Sequence, residues 1–362
     1  MYFVPIVKPV GGRCNLDCSY CYFRQKEGGG SSVDMVMNDE ILKSFIDVTC
    51  ANQDTVEFIW HGGEPLFAGV DFYRRVIEYE AVWSGEEKKI FNSIQTNGTL
   101  IDKNWINFFS ANNFAVGVSL DGPPELHDQL RVYHNGRGSF EETIRAIHLL
   151  KEAEVLSDVI CCVSSVNCDF PEDIFDFFVG QNIKRLKFLQ VQGRDGIGKL
   201  LPYSVISEQY ADFLIGIFKK WLELDDPEVE IREIKSIVNL MLGGDFRECM
   251  FADECHKYFT VYPDGWIYGC DSLPKVEALR FGHITEGLEQ IETSPNFIRF
   301  RQRVKEIRKR CVSCEWFNVC RGGCLQDWWP DIFDSQTKNL FCGGLKKIFA
   351  KFQRALSDYR II

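Results

Sequence analysis

Near the start of the chain three cysteines stand at Cys14, Cys18 and Cys21, within the run Gly12-Arg13-Cys14-Asn15-Leu16-Asp17-Cys18-Ser19-Tyr20-Cys21-Tyr22-Phe23. The spacing C-x3-C-x2-C offers three thiolates, and a four-iron cube takes one thiolate per iron. With no fourth cysteine close by in sequence, one iron would stay open to a small-molecule ligand.

A second set lies past residue 244, as Cys249-x5-Cys255-x14-Cys270, then Cys311-x2-Cys314-x5-Cys320-x3-Cys324, then Cys342. These are eight of the 15 cysteines, the number that two fully ligated four-iron cubes require. Two zinc sites of four thiolates each satisfy the same arithmetic, so this region alone fits either metal. The triplet favours iron and sulfur, because a three-thiolate site in a ligand-binding loop suits a catalytic cluster better than a structural zinc. The N-terminus lacks the charged-then-apolar layout of a secretion signal, which argues against structural disulfides.

The elements that must position these thiols read as repeated βα units. Strand-like runs occur at 3–7, 56–60, 89–94, 114–120, 159–166 and 185–191, and a polar or Gly-rich loop follows each, at 11–17, 61–65, 95–99, 121–124, 167–169 and 192–198. This alternation predicts an α/β fold with a parallel sheet, whose ligand chemistry collects in the loops after the strand C-termini. The triplet occupies the first such loop.

Between the strands, Asn38 can cap a helix with Ile41, Leu42, Phe45 and Ile46 on one face. Ser139 with Glu142 predicts a capping box opening a helix with Phe140, Ile144 and Ile147. Helices are expected at 207–223 and 231–242, ending at Gly243-Gly244. The cysteine-rich section beyond reads as short turns with little continuous apolar patterning, a region that needs bound metal as a staple. Leu345, Ile348, Phe349, Phe352 and Leu356 then form the apolar stripe of a last helix. Gly28 to Ser32 reads as a flexible loop.

At 362 residues the chain can bury a full core in more than one domain, and its aromatic content of 14% runs high. The formal charge of -11 disfavours a phosphate backbone, so nucleic acid is not expected as a partner. No run of about 18 apolar residues appears, so no membrane span is expected either, and the chain reads as cytoplasmic.

Cys14, Cys18 and Cys21, with the aromatic Tyr20 before the last of them, resemble the cluster motif of the radical SAM superfamily. Gly62-Gly63-Glu64-Pro65, after the second strand, resembles that superfamily's motif for the amino group of S-adenosyl-L-methionine (SAM). Gln95-Thr96-Asn97-Gly98 and Ser119-Leu120-Asp121-Gly122-Pro123 are similar to further SAM contacts, with His127, Asp128 and Arg131 following. The resemblance implies cofactor-binding roles for Gly62, Gly63, Glu64, Pro65, Gln95, Asn97, Ser119 and Arg131, the last two at the SAM ribose or carboxylate.

The C-terminal cysteines, with Gly265 before Cys270, resemble a SPASM domain. By that resemblance one auxiliary cluster would take Cys249, Cys255, Cys270 and Cys324, and the other Cys311, Cys314, Cys320 and Cys342, which makes three 4Fe-4S clusters in all. The implied architecture is a partial (β/α)6 TIM-like barrel at 1–200, a helical bridge at 201–248, a small cysteine-rich SPASM domain at 249–342 and a C-terminal helix at 343–362.

In the sulfatase-maturating relatives the aspartate matching Asp271 acts as general base. A carboxylate beside a cluster ligand is placed to accept a proton while an electron leaves. The implied reaction is a two-electron oxidation of a peptide or protein side chain. A radical from SAM would take a hydrogen atom from a β-carbon, fed by a reducing donor such as flavodoxin or ferredoxin.

Trp60-His61 ahead of the glycines, and Gly136-Arg137-Gly138-Ser139, look more like cyclophane-forming maturases, since sulfatase maturases more often carry Gln before the glycines. After Cys324 the run Leu325-Gln326-Asp327-Trp328-Trp329 lacks a basic residue that many relatives place there. The expectation is therefore a C–C cross-link in a ribosomally made precursor peptide (RiPP). Conversion of Cys or Ser to formylglycine is the alternative, and a zinc-stapled binding protein without redox chemistry the distant one. Because Cys14 arrives almost at once, no N-terminal leader-binding module is expected.

Other candidates carry less. Cys50, Cys161, Cys162 and Cys168 read as apolar fillers. His61, His127, His134 and His256 read as structural or substrate-polar residues, because thiols already supply the metal sites. The glycine-rich run 193–198 lacks G-x-G-x-x-G spacing and reads as active-site rim or adenine contact.

Overall fold

Among the described residues twelve strands follow in chain order: β1 Val4–Val7, β2 Thr55–Trp60, β3 Lys89–Thr96, β4 Ala115–Ser119, β5 Leu156–Val163, β6 Arg185–Gln190, β7 Glu230–Ile231, β8 Tyr258–Val261, β9 Trp266–Tyr268, β10 Arg280–His283, and the short pair β11 Trp328–Trp329 and β12 Lys338–Asn339. Helices Asp39–Asn52, Val70–Ser84, Lys103–Ala111, Phe140–Glu152, Pro171–Gly180 and Ser207–Leu224 follow the first six strands in turn, giving six βα repeats. The structure is a computed structural model, and it describes residues 2–23, 35–85, 88–194, 199–245 and 248–358. The expected loops at Gly28 to Ser32 and at 195–198 lie outside the described residues.

The chain divides into two compact units. The first comprises Met1–Ser119, Val132–Ser157 and His256–Gln302. Its strands run in the order β10-β9-β8-β1-β2-β3-β4. β8, β1, β2, β3 and β4 are parallel, while β9 and β10 join antiparallel. The cysteine-rich section is thus not only short turns. It supplies β8, which pairs with β1 from Val4↔Tyr258 to Val7↔Val261. It also supplies a 15-residue helix, Pro295–Lys309, on which Phe297, Phe300, Val304 and Ile307 are buried. Their spacing of three and four residues is helical.

The high aromatic content goes into this unit's core. Trp60 meets Phe45, Phe58, Phe72 and Tyr73, and Tyr73 meets Trp105, Phe108 and Phe114. Each fully buried large apolar side chain contributes about 1.5–3 kcal/mol. Beneath the rings runs a polar chain: Trp60 Nε1 donates to Asn92 Oδ1 at 2.7 Å, and Asn92 Nδ2 donates to both oxygens of buried Glu80 at 3.1 and 2.9 Å. Burial pushes the Glu80 carboxyl from 4.5 up to about 8, with the Asn92 bond opposing.

The folded state therefore keeps a proton that the unfolded chain releases. Its stability should fall as pH rises through that window. Glu80→Gln is expected to flatten this slope, with a gap to the unmodified chain on the order of a few kcal/mol by the top of the window. Thermal unfolding at the two ends of the window reads it, and an unchanged slope in the variant would remove Glu80 as its cause.

Two expectations shift at element ends. Asn38 does cap its helix, accepting from Ile41 N at 2.9 Å. Ser139 precedes the helix Phe140–Glu152 without a side-chain cap bond, because Glu142 pairs instead with Arg137 at 2.7 Å. The fifth strand ends at Val163 rather than at 166, because Ser164 N turns to donate to Asn167 Oδ1 at 2.7 Å.

The second unit comprises Leu120–Arg131, Asp158–Cys255 and Arg303–Ile362. It contains the parallel ladder β5-β6-β7. The last helix, Cys342–Asp358, buries Leu345, Ile348, Phe349, Phe352 and Leu356, and Phe352 stacks on Phe218 of the helix Ser207–Leu224 with centroids 3.7 Å apart. A Cβ on Gly344 would lie 2.2 Å from Ser207 O, so only glycine allows this approach, which fixes Cys342 at the helix start. Ahead of Cys249, Glu248 bonds Lys187 at 2.9 Å and Arg232 at 2.8 Å, and Arg232 reaches Asp158 at 3.0 Å. These partly buried pairs hold the chain where the first C-terminal cysteine emerges.

Candidate functional site

The triplet loop leaves β1 and is pinned by the loops after β2 and β3. Gly63 N donates to Gly11 O at 2.8 Å and Glu64 N to Arg13 O at 2.7 Å. A Cβ on Gly63 would lie 2.1 Å from Arg13 O, so the motif's second glycine is needed for the two loops to touch. Glu64 is fully buried, and its carboxylate accepts from Leu66 N at 3.0 Å, Thr96 Oγ1 at 2.7 Å and Asn97 N at 2.8 Å. Burial pushes this carboxyl up to about 7 against those three bonds. Glu64 therefore ties the second loop to the third, a structural task that the motif alone does not reveal.

Asn97 reaches back to the triplet. Its Nδ2 donates to Asn15 Oδ1 at 2.9 Å and lies 3.7 Å from Cys14 Sγ, while Leu16 N points at the same sulfur from 3.4 Å. Asn15 Nδ2 donates in turn to Thr99 Oγ1 at 2.8 Å. Burial, then Glu64, push the Cys14 thiol up to about 12, with Cys18 and Cys21 close enough to add to the effect. The thiol keeps its proton until a metal displaces it. Three thiols on one loop, with N–H donors aimed at a sulfur, fit a cluster ligand set. Among the described residues, no three His, Cys, Asp or Glu side chains stand at the spacing of ligands on a single ion.

Asp271 lies in the same unit. Its Oδ2 accepts from Tyr22 OH at 2.8 Å, and Tyr22 is the residue after Cys21. His61 Nδ1 is 4.0 Å from the same oxygen and accepts from Gly62 N at 2.7 Å, which assigns the neutral ring's proton to Nε2. Burial, aided by the Lys8 charge, pulls the His61 pKa down, with Asp271 opposing. Lys8 is itself buried, its Nζ 3.7 Å from the Phe23 ring centroid and 5.2 Å from that of Tyr262. Burial and then Asp271 raise the Tyr22 phenol well above its ordinary range. The group so assembled is a carboxylate that can take a proton, held by a phenol that keeps its own.

Gln95 Nε2 donates to Ser119 Oγ at 3.1 Å, so two of the expected SAM contacts meet each other across β3 and β4. Pro65 is buried and opens the short helical turn Pro65–Ala68. Arg131 belongs to the second unit, where its Nε bonds Asp121 at 2.8 Å and an Nη lies 3.7 Å from Cys162 Sγ. Asp121 also accepts from Cys162 N at 2.9 Å, so Cys162 helps to fix Arg131 rather than merely filling space. His127 is buried with its Nδ1 toward Asp121 N, a structural placement. His134 Nε2 lies 3.2 Å from Cys14 O.

Of the C-terminal cysteines, Cys270 lies in the first unit and the other seven in the second. Cys311 lies within electrostatic reach of Cys314, Cys320 and Cys342, Cys320 within reach of Cys342, and Cys249 within reach of Cys255. Asp327, three residues past Cys324, is buried, and its Oδ1 accepts from Gln190 and Gln192 at the end of β6. Sequence reasoning passed over Lys8 and Tyr22, and over the task of Asp121 in fixing Arg131. The adjacency of Tyr22 to Cys21 was available as a signal, but nothing local marks a partner 249 residues away.

Comparison with known proteins gives consistent results. Residues 9–178 match the model of the radical SAM superfamily and residues 249–315 that of the SPASM iron-sulfur cluster-binding domain. A cysteine-type anaerobic sulfatase-maturating enzyme of Clostridium perfringens is 31% identical, over 95% of this chain and 94% of its own length. A serine-type anaerobic sulfatase-maturating enzyme of Bacteroides thetaiotaomicron is also 31% identical, over 95% of this chain and 88% of its own. Among solved structures, native anSMEcpe with bound AdoMet and Cp18Cys peptide superposes with a TM-score of 0.89 at 28% identity, covering 99% of each chain.

Proposed function

This chain belongs to the radical SAM sulfatase-maturase family, and we propose that it oxidises the β-carbon of a cysteine or serine in a sulfatase-type peptide to the aldehyde of formylglycine. As a member of that family it is an enzyme that takes SAM, a 4Fe-4S cluster and further iron-sulfur clusters in its SPASM domain. The observation that carries the reading is the bond from Tyr22, next to Cys21, to Asp271, which ties a proton acceptor to the triplet loop.

When bound, SAM and a cluster on Cys14, Cys18 and Cys21 supply hydrogen-atom abstraction, and clusters on Cys249, Cys255, Cys270 and Cys324 and on Cys311, Cys314, Cys320 and Cys342 supply an electron acceptor. The protein's own part is to hold SAM with Gly62, Gly63, Pro65, Gln95, Asn97, Ser119 and Arg131. Glu64 serves indirectly, by fixing the loops that carry the others.

Asp271 accepts the proton of the substrate thiol or hydroxyl as the β-carbon loses a hydrogen atom and then an electron. A carbon–heteroatom double bond forms. With serine it is the aldehyde, and with cysteine the thioaldehyde exchanges sulfur for water oxygen and releases hydrogen sulfide. Trp60-His61 and residues 136–139 favour a cross-link. Relatives of both sulfatase-maturating types, similar over nearly the whole chain, outweigh those short stretches.

A peptide segment of a sulfatase replaces the precursor peptide as substrate, and a flavodoxin or ferredoxin supplies the first electron. The division at 200, 248 and 342 is a division by chemistry. No described helix is long and apolar enough to cross a membrane, and we place the work in the cytoplasm.

Anaerobic incubation of the cluster-loaded protein with SAM, a reductant and matched Cys and Ser peptides should yield deoxyadenosine together with a peptide that reacts with a hydrazide probe. A product that has lost two hydrogens, ignores the hydrazide and carries an internal C–C bond would return the assignment to cross-linking.

A further inference from the structure

Arg308 is a buried arginine whose three guanidinium nitrogens each make a bond among the C-terminal cysteines of the second unit. One Nη lies 3.6 Å from Cys255 Sγ, the other donates to Gly323 O at 2.5 Å beside Cys324, and Nε donates to Asp253 at 3.1 Å. The same side chain flanks the other ligand set. A Cβ on Gly322 would lie 2.8 Å from Arg308 Nη1 and 3.5 Å from Cys311 Sγ. One cation thus lies against Cys255 Sγ and the Gly323 carbonyl and close to Cys311.

We propose that Arg308 is a shared positioning residue that sets the reduction potentials of both C-terminal clusters together. This rests on the reading that these cysteines hold two clusters. A thiolate-bound cluster gains negative charge on reduction, so a nearby cation and an N–H bond to a ligand sulfur favour the reduced state and raise the potential. Water screens such an effect at the surface, but Arg308 is 4% exposed. Its partner Asp253 is 38% exposed on its side chain and offsets part of the charge. Arg308 also joins the chain before Cys255 to the chain before Cys324, so one side chain both spaces the ligands and biases the electron.

The sign of the effect can be reversed. Arg308→Met removes both the charge and the sulfur bond and should move both C-terminal midpoints to more negative potential. Asp253→Asn leaves the arginine charge uncompensated and should move them the other way. Asp253 has φ +58, a conformation that asparagine tolerates, so this variant should fold.

The measurement is an EPR-monitored redox titration on the Cys14, Cys18 and Cys21→Ala background, where the N-terminal signal is removed. Iron and sulfide are counted first. A background protein with fewer than about eight irons means the two-cluster reading has failed, which is separate from a failure of Arg308. With iron retained, opposite shifts in the two variants establish the role, and unchanged midpoints overturn it. If Arg308→Met loses iron, Asp253→Asn decides alone: an upward shift supports the shared cation and no shift removes it.

Discussion

Changing Cys14, Cys18 and Cys21 together to alanine is expected to bring SAM cleavage to background while the C-terminal iron stays. The triplet loop is held by backbone bonds to Gly63 and Glu64 and by Asn15 to Thr99, none of which uses a cysteine side chain. Losing the thiols should therefore leave the first unit folded. About four of about twelve irons should disappear, since each cube carries four. Deoxyadenosine production, followed by chromatography after anaerobic loading, should fall by several orders of magnitude, because among the described residues no other thiol trio sits on a loop after a parallel strand. Sustained deoxyadenosine from this variant would refute the assignment of the SAM-binding cluster. Loss of all iron would instead mean that the C-terminal cysteines hold no clusters of their own, and the two-cluster reading would fail with it.

Much of this site could be read before any coordinates. The βα alternation placed six strands to within a few residues, because apolar runs and the loops between them are local properties. The cysteine spacings, the Gly-Gly-Glu-Pro run and Asp271 stood out for the same reason. The partners of those residues did not. Glu64 points inward to Thr96 and Asn97 through loop-to-loop contacts that no periodicity encodes. Ser139 has the right residue three positions on for a capping box, yet Arg137 competes for Glu142 and wins. The pairing of β8 with β1 joins residues far apart in sequence, so a boundary drawn where the alternation stops does not anticipate it.

The choice of reaction shows a different limit. His61 in place of the glutamine expected of sulfatase maturases is one side chain, and it pointed toward cross-linking. The structure gives that side chain a local task, since its Nδ1 accepts from Gly62 N and its ring lies beside Asp271. A histidine can serve there as a neutral polar neighbour whichever bond the substrate forms, so its identity discriminates weakly between products.

The second large effect is expected at Asp271. Asp271→Asn keeps the shape of the side chain, and the amide oxygen can still accept from Tyr22 OH, so the position of the loop after Cys270 should hold. What the amide cannot do is take up a proton. SAM cleavage should persist, because the triplet ligands and the Asn97 contact are untouched, while aldehyde product should fall by about 10²–10⁴-fold, the usual worth of a positioned general base. The two readouts should therefore separate, with deoxyadenosine forming without matching product. Tyr22→Phe provides the control on positioning: it removes the 2.8 Å bond but leaves the carboxylate, so its loss of product should be smaller than that of the amide variant. Equal product from Asp271→Asn and the unmodified enzyme would remove the base role. A parallel loss of SAM cleavage would instead assign Asp271 to holding Cys270 or the triplet loop, since a residue needed only after hydrogen abstraction cannot stop the step before it.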